Sequence, residues 1–152
     1  MGQEQLACPL TKGERILVAL DGSKYGDAAL EQAISLGRTC NSTIFAVSVV
    51  DLFPEQMQVA HALGEKLTTE ARQTLDQAKA RVEQENIPCE TILHMGGQPH
   101  EFIVEEAKER NADLIVMGTH GRTGLRRLLM GSVVQKVIGH APCSVMVVPT
   151  LE

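Results

Sequence analysis

Three glycines and a serine carry the most legible chemistry in this chain. Gly118 and Gly121 are separated by two residues, Gly121 and Gly131 by nine, and Ser132 follows directly. The set begins where an apolar run at 114–117 ends. Glycines at the carboxyl end of a strand let backbone N–H groups approach an anion with no Cβ in the way. A helix opening at Gly131-Ser132 adds unpaired N–H groups and the positive end of its dipole. Ser132 is expected to cap that helix and to touch phosphate as well. A left-handed backbone at Gly121 or Gly131 would add a conformational demand to the demand for space. The charge pattern agrees. Residues 114–151 hold Arg122, Arg126, Arg127 and Lys136 and no carboxylate, in a chain of formal charge −5. A cationic glycine loop in an acidic protein predicts a phosphate site.

Other reactive side chains say less. Asp21 closes the apolar run at 14–23 in Asp-Gly-Ser, where it can accept from a ribose hydroxyl, a base amine or the first turn of a helix. His120 lies inside the loop, but no acid or base accompanies it, and it reads as a local packing residue. His94 and His100 flank Gly96-Gly97 without a third ligand, so no protein zinc site is expected. No Walker lysine pattern is present. The cysteines at 8, 40, 89 and 143 show neither C-x-x-C nor metal spacing, which predicts reduced thiols in a cytoplasmic protein, not a disulfide framework.

These residues need a scaffold, and the hydrophobic pattern supplies one. Apolar runs at 14–23, 42–51, 113–118 and 144–149 read as strands, with a weaker one at 89–95. Between them, helical spacing spans 25–38, one long stripe from Pro54 to near Asn86, then 99–110 and 132–139. The alternation predicts one α/β domain over 1–152, a parallel sheet covered by helices on both faces, with 1–13 as a flexible lead-in. In such sheets a ligand sits beyond the carboxyl ends of strands, where strand order reverses. If strands one and four are neighbours, Asp21 and Gly118 face each other across that crevice.

Composition narrows the function. The chain has 43% hydrophobic and 22% charged residues, which is globular. Net negative charge argues against nucleic acid as a partner. No apolar stretch reaches the roughly 18–20 residues of a membrane span, and the first residues lack the apolar core of a secretory signal.

At these residues the chain resembles the ATP-binding branch of the universal stress protein family. The family pattern of Gly, two residues, Gly, nine residues, Gly and Ser or Thr matches Gly118, Gly121, Gly131 and Ser132 without a gap. Val49-Val50-Asp51, the stretch from Gly96 to Gly121 and the closing APCSVMVVP extend the likeness over nearly the whole chain. The resemblance implies a Rossmann-like, five-stranded sheet of order 3-2-1-4-5 with ATP, or AMP or ADP, in the crevice. It places Ala19, Leu20 and Asp21 at the nucleoside, Val49 on the adenine, and Met117 and Gly118 along adenine and ribose. Gly121, Arg122, Gly131, Ser132 and Val133 would hold phosphates, with Mg²⁺ carried on them. Some members have a Pro-Thr pair before the strand-one acid, where this chain has Ala19-Leu20, so side-chain contacts differ there. The expected function is nucleotide-dependent regulation in a stress response, without efficient catalysis. The alternatives are a slow ATPase or phosphotransfer enzyme, or an adaptor holding AMP or nothing. A homodimer through the last strand is expected, because 144–151 carries no blocking charge.

Overall fold

A computed structural model describes residues 7–121 and 130–150. Five strands and five helices follow in the order β1 (Arg15–Ala19), α1 (Lys24–Cys40), β2 (Thr43–Val50), α2 (Pro54–Val59), α3 (His61–Glu83), β3 (Cys89–Met95), α4 (Pro99–Glu109), β4 (Leu114–Gly118), α5 (Ser132–His140) and β5 (Ser144–Val148). All pairings are parallel and the sheet order is β3-β2-β1-β4-β5. Strand order therefore reverses between β1 and β4, with Ile16 opposite Leu114 and Val18 opposite Val116.

Both faces of the sheet are dry. Ile16, Val18, Ile44 and Leu114 point to one face, under α1 and α3. Leu17, Phe45, Val47, Ile115 and Met117 point to the other, under α4 and α5. Two-sided burial explains why β1, β2 and β4 read as continuous apolar runs and do not alternate, whereas the edge strand β3 exposes Glu90 and Thr91. Helix α1 starts at Ser23, whose hydroxyl accepts from the Gly26 N–H, and stops at Asn41, which takes a left-handed conformation with φ 53°. Asn86 and Asn111, with φ 59° and 51°, follow α3 and α4 in the same way. Asparagine tolerates that geometry because its short polar side chain can bond locally.

Two expectations are corrected. The long helical stripe is two helices, broken at Ala60 (φ −122°, ψ 55°). Val59 is 92% and Leu63 47% exposed, so no packed surface holds the chain straight there. Burial along α3 begins at Gly64 and settles into Ala71, Leu75, Ala78 and Val82. Of the four cysteines expected as reduced thiols, two are bonded to each other. Cys8 and Cys40 form a disulfide, with Cα atoms 4.7 Å apart. Nothing in a separation of 32 residues signals it; residues 7–13, expected as a flexible lead-in, fold back beside the end of α1 and bring the sulfurs together.

Candidate functional site

A cavity of about 580 Å³ opens at the carboxyl ends of β1, β2 and β4. Its floor is Ala19, Leu20 and Asp21 from β1 and its exit, Val47 and Val49 from β2, and Met117 and Gly118 from β4. Gly121, Gly131, Ser132 and Val133 close one side. The structure thus brings together around one space every sequence-derived site residue that it describes. Arg122 lies outside the described residues, as do Arg126 and Arg127.

Asp21 is held in a fixed attitude. Its Oδ1 accepts from the Ser23 N–H at 2.9 Å and from the Ser23 hydroxyl. Ser23, not Asp21, caps α1, so the carboxylate braces the capping loop from outside. Its other oxygen, Oδ2, is directed at Gly121: a Cβ built there would stand 3.2 Å away. Asp21 and the glycine loop therefore meet across the crevice, as the strand order requires.

The glycines do different jobs. A Cβ on Gly118 would come within 2.6 Å of the Tyr25 carbonyl oxygen and 2.7 Å of the Tyr25 Cβ. Gly118 is thus the point where β4 and the first turn of α1 touch. Gly121 and Gly131 correct the expectation of a left-handed backbone. Positive φ occurs among the described glycines at Gly22, Gly96 and Gly97, whereas Gly131 has φ −57°. At 121 and 131 the lack of a side chain leaves room and does not relieve strain.

Beyond the loop the chain returns on itself: the Gly131 N–H donates to the Thr119 carbonyl at 2.8 Å, and the Thr119 N–H donates to Val148 at 3.2 Å. Gly131, not Ser132, is the N-cap of α5, and no side chain caps it. Ser132 is the first helical residue. The ladder begins with the Gln135 N–H on the Gly131 carbonyl. The N–H groups of Ser132, Val133 and Val134 precede it, at the cavity wall, as donors for an anion. His120 Nδ1 lies 3.0 Å from the Thr119 hydroxyl, and its ring stands 5.2 Å from that of Tyr25.

The sequence reading missed one wall. Leu67, Glu70, Ala71 and Thr74 of α3 line the cavity, together with Ser48 and Asp51. The three- and four-residue steps of Leu67, Ala71 and Thr74 were the available signal, but that stripe also fits plain core packing. Pro99 and Ile103 of α4 complete the apolar side.

Helix α4 is anchored by a charged cluster. Glu106, 6% exposed, lies 2.8 Å from His94 Nε2 through Oε1 and accepts from Arg110 Nε at 2.8 Å through Oε2. Burial pushes the Glu106 carboxyl up, but the hydrogen bonds of Arg110 and His94 outweigh it and hold it below the usual value. The His94 ring stacks on Phe102 at 4.4 Å, one residue before Ile103 in the cavity wall. His94 is thus occupied in positioning α4.

Comparison with known proteins agrees with this geometry. The sequence profile of the universal stress protein family matches residues 13–149. A universal stress protein of Methanocaldococcus jannaschii is 36% identical over 139 residues, covering 89% of this chain and 81% of that protein. Among solved structures, a universal stress protein of Lactobacillus plantarum superposes with a TM-score of 0.80 at 28% identity, over 90% of this chain and 98% of that one. One from Archaeoglobus fulgidus, solved in complex with dAMP, shares the fold with a TM-score of 0.68 at 24% identity, over 89% of this chain and 97% of that one.

Proposed function

Since the chain belongs to the universal stress protein family, we propose that its crevice binds an adenine nucleotide, ATP above all, and that occupancy regulates rather than catalyses. One observation carries this reading. A single cavity joins an apolar stretch, lined by Val47, Val49, Ile103 and Met117, to the Gly131 turn at the start of α5. The apolar stretch suits a purine, and the turn suits phosphates. Asp21 stands between them, within reach of a ribose or base donor. The Archaeoglobus fulgidus protein holds dAMP on the same fold, which supports the choice of base. Mg²⁺ would travel on the phosphates, since the described residues include no group of three His, Cys, Asp or Glu able to hold a metal ion.

An enzyme is the second reading, as slow hydrolysis or phosphotransfer; an adaptor holding AMP or nothing is the third. His120, the one imidazole at the cavity, is turned to Thr119 and Tyr25, which favours binding over catalysis. Titrating ATP, ADP and AMP while following turnover separates the three. Asp21→Ala should weaken AMP or adenosine by tenfold or more, since a charge-assisted hydrogen bond is worth roughly 1.5–3 kcal/mol. Unchanged affinity would leave Asp21 a brace for the Ser23 loop and nothing more.

The same proposal includes a cytoplasmic homodimer. No described helix is long and apolar enough to cross a membrane. Strand β5 is a sheet edge, and its residues Ser144–Val148 carry no charge. Two copies pairing there antiparallel would satisfy both edges about a twofold axis. Val147→Lys should shift the protein to monomer in light scattering while it stays folded, at a lowered melting temperature because Val147 also packs, half-buried, on the core under α4 and α5. A wild-type monomer at high micromolar concentration would refute the interface.

A further inference from the structure

The nucleotide reading leaves the opposite end of the molecule unexplained. There the Cys8–Cys40 disulfide joins the first described turn of the chain to the last residue of α1. We propose that Cys8 and Cys40 are a reversible thiol–disulfide site, oxidised by a hydroperoxide and reduced by a dithiol, that fastens residues 7–13 to the end of α1.

The fold brings the two sulfurs together independently of the bond. Leu10 packs on the core beneath α1. The Ser42 hydroxyl donates to the Gly13 carbonyl, and the Thr43 N–H donates to the Glu14 carbonyl at 2.8 Å. Gly13 lies so close that a Cβ on it would meet Cys8 Sγ and Cys40 Cβ, each at 3.0 Å. The reduced pair is therefore held for closure by ordinary packing, and oxidation loses little chain freedom.

The other two thiols are poorer candidates, although Cys143 is half-buried like the pair. Cys8 and Cys40 are both half-buried, within reach of a small oxidant or a reducing dithiol. Cys89 is buried, and its thiol is pushed up to about 11, chiefly by desolvation. Desolvation raises the Cys143 thiol too. Neither offers much thiolate, the reactive form, near neutral pH.

The chemistry balances. One thiolate attacks the hydroperoxide, giving a sulfenic acid and releasing the alcohol, or water from hydrogen peroxide. The other thiol then displaces water from that sulfur and forms the disulfide. In reverse, a dithiol attacks one sulfur to give a mixed disulfide. Its second thiol resolves that bond, leaving two cysteine thiols and an oxidised, cyclic reductant. In a reducing compartment such bonds are transient and signal redox state.

The test uses the full chain and needs no nucleotide. Protein treated with hydrogen peroxide, or with dithiothreitol and then desalted, is denatured and alkylated, and its intact mass is measured. Two labels are expected after peroxide and four after dithiothreitol. Cys40→Ser should take three labels after dithiothreitol and form no internal disulfide after peroxide, Cys8 either keeping its thiol or stopping at the sulfenic acid, one oxygen heavier. The oxidised wild type should melt about 5–10 °C above the reduced form and above Cys40→Ser, from closure of the loop. Four labels after peroxide would overturn the pairing. Retention of the bond by native protein in glutathione buffer at cytosolic poise would overturn the reversibility. Equal melting temperatures would overturn the fastening of residues 7–13.

Discussion

Gly118→Ala is expected to lower the melting temperature by roughly 6–12 °C. The added methyl would stand 2.6 Å from the Tyr25 carbonyl oxygen and 2.8 Å from its carbonyl carbon. Both are backbone atoms of the first turn of α1, so no rotamer change relieves the clash. Either β4 withdraws from the sheet, where Gly118 pairs with Val148, or α1 lifts away. Overpacking of this kind costs about 3 kcal/mol. Nucleotide affinity should fall with stability, because lifting α1 carries off Ser23 and, through its hydrogen bonds, Asp21. A melting temperature within a degree or two of wild type would show that the contact between β4 and α1 is soft.

Gly121→Val should give the opposite pattern, with binding lost and folding kept. Gly121 is exposed at the cavity mouth. The nearest described atom for a new Cβ is Asp21 Oδ2 at 3.2 Å, the carboxylate oxygen that Ser23 does not hold, so a shift of a few tenths of an ångström relieves the contact. The two further methyl groups would occupy space where, in the proposed binding mode, phosphates approach the backbone. ATP affinity should drop tenfold or more, at least about 1.4 kcal/mol, measured by calorimetry on protein whose melting curve matches wild type. Equal affinity in a folded variant would remove the loop from the site. Gly131→Val belongs to the same class, since its built Cβ meets no atom of the described residues closer than 3.4 Å.

These two glycines show what the sequence could and could not convey. Spacing placed Gly118 and Gly121 in one motif, and the fold places both at one cavity. It could not show that one glycine serves packing and the other access, because Tyr25 lies 93 residues from Gly118 in the chain. The positions of β1, β2 and β4 were legible because burial on both faces makes largely apolar runs, and β3, exposed at Glu90 and Thr91, gave a weaker signal. The helix break at Ala60 was not, because exposed Val59 and Leu63 continue a helical spacing that nothing in the sheet enforces. The same ambiguity hid Leu67 and Thr74, whose stripe suits a core as well as a cavity wall. Cys8–Cys40 was invisible for a third reason: the return of residues 7–13 depends on tertiary contacts, with no local signal.

The position of β1 at the centre of the sheet has a consequence while the protein is being made. One edge of β1 is covered early by β2, but the other waits for β4, and Asp113 Oδ2 takes the N–H groups of Glu14 and Arg15 at 3.0 Å across 99 and 98 residues. At ordinary translation rates that interval lasts roughly 5–20 s. Through it the nascent chain presents a bare strand edge, apolar from Ile16 to Ala19, outside the ribosome. Capture of stalled chains should therefore find holdase chaperones bound to lengths that end before β4, and released once Leu114–Gly118 has left the exit tunnel.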